Sequence, residues 1–144
     1  MQKKVSKSPE ETKKIAKDIV SNIQRRSIIA LFGQLGSGKT TFVQGLAMGL
    51  GVRERIISPT FIIVREHKFQ TANKKIKTLY HIDLYRVDEE GLESLGLEEI
   101  FSDREALVVI EWAEKIEKLL PKGAIKVYFT YKTENEREIS INEE

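Results

Sequence analysis

The sequence predicts an α/β fold: a central, mostly parallel sheet flanked by helices, with an antiparallel hairpin and antiparallel C-terminal strands. Three observations carry that expectation. Ser27 to Phe32 and Leu107-Val108-Val109-Ile110 are short, almost wholly apolar runs, the pattern of strands covered on both faces. Segments with apolar residues at helical spacing lie on either side of the first run. Ile125, Val127, Phe129 and Tyr131 alternate with Lys126, Tyr128, Thr130 and Lys132, which marks a half-exposed strand.

Taken in order, Ser8-Pro9-Glu10-Glu11 reads as a helix start. Ser8 can cap, Pro9 suits the first helical position and Glu11 can complete a capping box. Ile15, Ala16, Ile19, Val20 and Ile23 then share one face. After Ser27–Phe32 and a glycine-rich loop, Phe42, Val43, Leu46, Ala47 and Leu50 repeat the helical period, with Gly51 as terminator. Gly45 and Gly49 each cost about 1 kcal/mol relative to Ala inside that helix, and are expected to allow close packing on the sheet. Phe61 to Phe69 and Ile76 to Asp83 are strand-like and separated by the polar Thr71-Ala72-Asn73-Lys74-Lys75, so they predict a hairpin. Residues 88 to 101 form a weak helical region anchored by Leu92, Leu95, Leu97 and Ile100. Leu107–Ile110 leads through Glu111-Trp112 into a short helix stopped by Pro121. Ile139 and Ile141 suggest a last strand.

The 144 residues suit one domain spanning 1–144, with 32% charged and 40% hydrophobic residues arguing against disorder. A net charge of +2 is far from that of a dedicated nucleic-acid binder. The absence of cysteine excludes disulfides, thiol nucleophiles and thiolate zinc sites, and fits a reducing compartment. No apolar run approaches the roughly 18 residues of a membrane span, and the basic N-terminus is followed by no apolar signal core. A cytoplasmic protein without membrane attachment is expected.

Gly33-Gln34-Leu35-Gly36-Ser37-Gly38-Lys39-Thr40 fits G-x-x-x-x-G-K-S/T at every position. A buried strand precedes it and an amphipathic helix follows, so the fold expected is P-loop NTPase-like. Glycines free the backbone to turn successive N–H groups inward on phosphate oxygens, and the helix starting near Lys39 adds its positive end. Lys39 reaches the β- and γ-phosphates, and the Thr40 hydroxyl ligates Mg²⁺. Such a site also needs a carboxylate at the end of a neighbouring strand. Glu111 follows one buried strand and Asp83 closes Leu79-Tyr80-His81-Ile82-Asp83, both at the carboxyl edge where open α/β sheets bind ligands. One would hold the metal and the other would orient the attacking water. Ser58-Pro59-Thr60-Phe61 reads equally as a nucleotide-sensing switch at Thr60 or as a turn set by Pro59.

Other features carry less. Trp112 either packs in the core or lies over the nucleotide, the core being the usual fate. His67 and His81 lack metal-ligand spacing and read as satisfied strand histidines. Asp88, Glu89, Glu90, Glu93, Glu98 and Glu99 form a solvated face or greet a basic partner. Lys68, Lys74, Lys75 and Lys77 cluster at the hairpin tip, where they could touch RNA phosphates. Asp88-Glu89-Glu90-Gly91 and Asn73-Lys74-Lys75 suggest a GTPase, but Ile76 stands where the guanine-binding Asp belongs and the Asn-Lys pair precedes D-x-x-G. ATP is therefore expected. A small-molecule kinase would add an arginine-rich lid, whereas Arg25 and Arg26 precede the loop and Arg53 and Arg55 follow its helix.

Several blocks together resemble the TsaE (YjeE) family: "GSGKTTF" at 36–42, "GLAMGLG" at 45–51, "SPTF" at 58–61, "HIDLYR" at 81–86, "LGLEEI" at 95–100 and "VIEWAEKI" at 109–116 ahead of "LLP". The resemblance runs from about Ser8 to Ile141. It implies a Mg²⁺-dependent ATPase, weak alone, that serves threonylcarbamoylation of the adenosine beside the tRNA anticodon without transferring the group. It also implies TsaD and TsaB as partners, with tRNA met through their complex. Residue by residue it places Lys39 and Thr40 on phosphate and Mg²⁺ with Thr41 beside them, and Glu111 on the metal. Asp83 then supports hydrolysis, Thr60 belongs to a switch loop and Trp112 is a mobile side chain at the nucleotide. The segment Ser8 to Thr12 and Arg137 match positions near the base. Two residues depart from the family pattern: Gln34 where Asp is frequent, and Ala113 where Pro often follows Glu-Trp. The rival class is a nucleotide-binding interaction module whose hydrolysis is incidental.

Overall fold

The computed structural model describes residues 2–34, 36–56, 63–71 and 74–143. Among them, seven strands form one sheet in the order β1-β7-β6-β2-β5-β4-β3. They are β1 (Gln2–Ser6), β2 (Ser27–Phe32), β3 (Val64–Lys68), β4 (Thr78–Asp83), β5 (Ala106–Glu111), β6 (Ile125–Tyr131) and β7 (Arg137–Asn142). The middle of the sheet, β6-β2-β5-β4, is parallel. Antiparallel β3 closes one side, and antiparallel β7 and β1 close the other. The expected architecture is therefore observed, hairpin and C-terminal strands included.

The continuous apolar runs are explained by two cores. Ile29 and Leu31 of β2 point to a core shared with α1 (Pro9–Ser21) and α2 (Lys39–Leu50). Ile28, Ala30 and Phe32 point to the opposite one with Val108, Ile110, Ala113 and Ile116. Since side chains alternate along a strand, a strand covered on both faces must be apolar at every position.

α1 begins as predicted, with Ser8 Oγ accepting from the Glu11 N–H at 3.1 Å. The Glu11 carboxylate accepts from the Lys7 N–H (2.6 Å) rather than from that of Ser8, so the capping box is displaced by one residue. The two helices run against each other, and this corrects the expectation for Gly45 and Gly49. A Cβ at Gly45 would lie 2.6 Å from the Lys13 carbonyl oxygen, and one at Gly49 would lie 2.4 Å from Val20 Cγ1. Both glycines admit α1, not the sheet.

Three further elements differ from the sequence reading. β1 was not foreseen, because Gln2-Lys3-Lys4-Val5-Ser6 carries one aliphatic side chain and that one is 51% exposed; edge strands need little burial and often carry lysine. Residues 88 to 101 form two short helices, α3 (Glu89–Glu93) and α4 (Leu97–Ser102), divided by Gly96 at φ 70°. The segment after Trp112 is a 3₁₀ helix, Ala113–Leu119. The lysines of the hairpin are also less free than expected. Lys74 Nζ donates to the carbonyls of Val20 (2.8 Å) and Ile23 at the end of α1, as the helix dipole favours. Lys68 pairs with Glu66 and Lys77 with Glu105. No helix among the described residues is long and apolar enough to cross a membrane.

Candidate functional site

Strand register assembles the site. Leu31 on β2 is the Cα partner of Glu111 on β5, and Glu111 is the partner of Asp83 on β4. The carboxyl ends of three parallel strands thus bring both predicted carboxylates beside the loop that follows Phe32. That loop turns through Gly36 (φ 76°) and Gly38 (φ 102°), left-handed conformations that strain any residue with a Cβ. At Gly36 a Cβ would also meet the Tyr131 hydroxyl at 2.9 Å. Gly38 is the N-cap of α2, so Lys39, Thr40 and Thr41 occupy its first turn, where N–H groups lack intrahelical acceptors.

Thr40 Oγ1 donates to Glu111 Oε1 at 3.0 Å. The other oxygen, Oε2, lies 2.5 Å from His81 Nε2. Glu111 is only 3% exposed. Asp83 accepts from the Tyr85 N–H at 3.0 Å. Burial pushes its carboxyl above the ordinary carboxylate range and the charge of Glu111 adds to this, against the Tyr85 hydrogen bond. Lys39, 4% exposed, donates to the Gly33 carbonyl. Its Nζ sits 3.5 Å from the Trp112 ring centroid, a cation–π contact. Burial lowers its pKa, while Glu114, Glu111 and Asp83 act to raise it.

Trp112 is therefore half-buried: it packs on the margin of the core of Ile28, Ala30 and Phe32 and also lies beside the loop. It is the one non-glycine with positive φ among the described residues (61°), a conformation that costs about 1–2 kcal/mol. Its ring packs on Tyr85 at 4.9 Å between centroids. The loop is also tied down by residues that sequence reasoning missed. The Gly33 N–H donates to Glu114 Oε2 at 2.9 Å, and the Tyr131 hydroxyl donates to the Gly36 carbonyl at 2.6 Å. Ser37 Oγ stays buried with no hydrogen-bond partner among the described residues.

Two hollows lie here, one against the loop and one against the first turn of α2. One, of about 440 Å³, is bordered by Gly33, Gln34, Trp112 and Glu114. The other, about 340 Å³, is bordered by Ser8, Thr12, Thr41 and Arg137. Arg137 Nη1 donates to the carbonyls of Thr133 and Glu134, both at 3.0 Å, and its guanidinium lies 4.0 Å from the Tyr131 ring centroid. The fold thus gathers Gly33, Gln34, Gly36, Ser37, Gly38, Lys39, Thr40, Thr41, Asp83, Glu111 and Trp112 around one edge, with Ser8 and Arg137 bordering the hollow that Thr41 lines. Leu35 and Thr60 lie outside the described residues. His81 is the missed residue with a readable signal: it stands two positions before Asp83, hence on the same strand face. Glu114 and Tyr131 had none.

A family profile described as "Threonylcarbamoyl adenosine biosynthesis protein TsaE" matches residues 6–139. Among proteins named tRNA threonylcarbamoyladenosine biosynthesis protein TsaE, that of Bacillus subtilis (strain 168) is 40% identical over 134 residues, 93% of this chain and 80% of that protein. The one from Treponema pallidum (strain Nichols) is 33% identical over 138 residues, 95% of this chain and 97% of that protein. The crystal structure of Bacillus subtilis YdiB superimposes with a TM-score of 0.77 at 34% identity, covering 97% of this chain and 83% of that one. By sequence along nearly its whole length and by fold, the chain belongs to the TsaE family of tRNA threonylcarbamoyladenosine biosynthesis.

Proposed function

We propose that the chain, as one ATPase domain over residues 1–144, binds ATP with Mg²⁺ at the glycine-rich loop and hydrolyses it, weakly when alone. The nucleotide cycle acts in the cytoplasm as a switch on TsaD and TsaB homologues, which carry out the threonylcarbamoyl transfer and meet the tRNA. The observation that carries this reading is the 3.0 Å bond between Thr40 and Glu111 at the start of α2. It joins a hydroxyl and a carboxylate from separate elements beside a buried lysine, the groups with which a P-loop holds Mg²⁺ and phosphate.

The residues present fit both ligands. Hydroxyl and carboxylate oxygens suit Mg²⁺ rather than a softer metal. Among the described residues no three His, Asp or Glu side chains cluster to hold a cation unaided. That agrees with an ion that completes its shell from phosphate and water. Ser37 Oγ, unpartnered among the described residues, and the free N–H groups of the first turn of α2 supply donors for phosphate. Loop residues Gly33, Gln34, Leu35, Gly36, Ser37 and Gly38 would cradle it, and Lys39 would leave Gly33 and Trp112 to reach it. Thr40 and Glu111 would hold the metal, and Thr41, Ser8 and Arg137 would line the base side. Trp112 would cover the phosphates and Thr60 would sense the nucleotide.

When bound, the Mg²⁺–nucleotide supplies a γ-phosphoryl group whose charge is spread and partly neutralised. The chain's own part is positional. Lys39 and the α2 terminus balance negative charge, and Glu111 stays fixed by two hydrogen bonds. Asp83, with a raised pKa, orients a water and takes up its proton. Two rivals lose support. Asp88 Oδ1 accepts from the Gly91 N–H at 2.7 Å as the cap of α3, so D-x-x-G serves as a helix start rather than a GTPase switch. Arg25 and Arg26 precede β2, at the opposite end of the strand from the loop, where they cannot serve as a kinase lid.

The test is Glu111→Ala, assayed for ATP binding, turnover and tRNA modification with the partner pair present. Binding should survive while turnover and modification are lost. Modification without turnover would instead establish the interaction-module reading, and ATPase activity indifferent to every combination of partners and tRNA would refute the switch.

A further inference from the structure

We propose that His81 is a positioning residue that holds Glu111 in register with Thr40, and that without it the divalent-cation site is present in composition but not in geometry. This rests on the Mg²⁺–nucleotide reading above and extends it to a side chain that touches neither ligand.

His81 sits in the middle of β4, paired with Arg65 on one side and Val109 on the other. Its side chain is fully buried. Leu79, two positions earlier and so on the same face of the strand, is apolar and equally buried, so an aliphatic residue would satisfy the packing at this position. The imidazole instead brings two polar nitrogens inside. Nε2 meets Glu111 Oε2 at 2.5 Å. Nδ1 is buried and has no partner among the described residues. A proton on Nδ1 would leave an N–H unsatisfied, which costs about 1–3 kcal/mol, whereas a carboxylate only accepts. The ring proton therefore belongs on Nε2, aimed at Glu111. The orphaned nitrogen is what the fold tolerates in order to place that donor.

The consequence lies on the far side of the carboxylate. A glutamate is a flexible side chain whose ordering costs up to about 2 kcal/mol, and Glu111 lies close enough to Lys39 for their charges to interact. A free Glu111 could turn to that ammonium and remove both groups from the site. With Oε2 held by His81 and Oε1 by Thr40, the carboxylate is fixed at both ends and Lys39 is left to the phosphates. Outer partners of this kind orient metal ligands, and their loss typically costs about 10–100-fold in metal affinity or activity.

The experiment compares wild type with His81→Asn, His81→Gln and His81→Phe. Calorimetry measures binding of a non-hydrolysable ATP analogue as Mg²⁺ is varied, alongside steady-state kcat and KM. A glutamine amide can reach the place of Nε2, and an asparagine amide cannot. The Mg²⁺ concentration for half-maximal tightening should rise about 10-fold or more in the Asn and Phe variants and return to within about threefold of wild type in the Gln variant. Analogue binding without Mg²⁺ should be the same in all four, and kcat should fall while KM for ATP holds. If the Phe variant does not fold, the Asn–Gln pair still decides. Equal Mg²⁺ requirements for Asn and wild type, or equal impairment of Gln and Asn, overturn the proposal. If wild type itself binds the analogue independently of Mg²⁺, the parent reading fails and takes this one with it.

Discussion

Gly45→Ala separates two opposing effects whose sizes the structure sets. Helix propensity favours the substitution by about 1 kcal/mol. Packing opposes it. The new Cβ would lie 2.6 Å from the Lys13 carbonyl oxygen, 2.7 Å from Lys13 Cα and 2.8 Å from Ala16 Cβ, where carbon atoms normally rest about 3.5–4.0 Å apart. Two of those three atoms are backbone, so no rotamer change relieves the overlap, and α1 must withdraw from α2 by about 1 Å to restore that spacing. Overpacking of this kind costs about 1–3 kcal/mol, and backbone obstruction puts the site at the upper end. The net loss expected is about 2 kcal/mol once propensity is credited. With an unfolding entropy of about 2.1 cal/mol/K per residue, the 144 residues give roughly 0.3 kcal/mol/K, and Tm should drop by about 7 °C. Scanning calorimetry and urea unfolding measure it. The double variant Ala16→Gly, Gly45→Ala should recover little, because the Lys13 backbone stays in place. A Tm equal to or above wild type would show that α1 yields freely and that the tight seam plays no part.

Further outcomes follow from the site. Thr40→Ser should keep Mg²⁺-dependent tightening of ATP binding while Thr40→Ala loses about 10-fold or more, as expected when a charge-assisted bond of about 1.5–3 kcal/mol is removed; calorimetry with and without Mg²⁺ reads the difference. Asp83 has a folded pKa raised above its ordinary 3.8, so the folded state binds the proton more tightly than the unfolded chain does. The stability it contributes is complete below the unfolded value and is lost as pH rises through the folded one. Asp83→Asn should therefore melt above wild type at neutral pH, with the gap closing as pH falls toward about 4, and should turn over more slowly; a gap that widens on acidification contradicts the assignment. Trp112 is the sole tryptophan and Lys39 lies against its ring, so saturating ATP should change intrinsic fluorescence in wild type and leave Lys39→Met unchanged. Tyr131→Phe removes the bond to the Gly36 carbonyl and should lower stability by about 0.5–1.5 kcal/mol, measurable by urea unfolding.

What the sequence determined by itself is what short-range rules can encode. Ser27–Phe32 and Leu107–Ile110 had to be covered on both faces because an apolar residue at every position leaves no solvated side. Gly36, Gly38, Lys39 and Thr40 announced their loop because left-handed turns and a helix start demand those residue types at that spacing. Asp83 and Glu111 were readable because strand ends in such sheets share one edge. Tertiary structure alone decided who meets whom. Thr40 and Glu111 are 71 residues apart, His81 and Glu111 30, and Tyr131 and Gly36 95, and these meetings follow from strand order and register, which no local period specifies. The same holds for Gly45 and Gly49, whose missing side chains say that something approaches closely without saying that it is α1. It holds for β1 too: a lysine-rich edge strand buries too little apolar surface to leave a pattern, and exists because β7 offers it an unpaired edge.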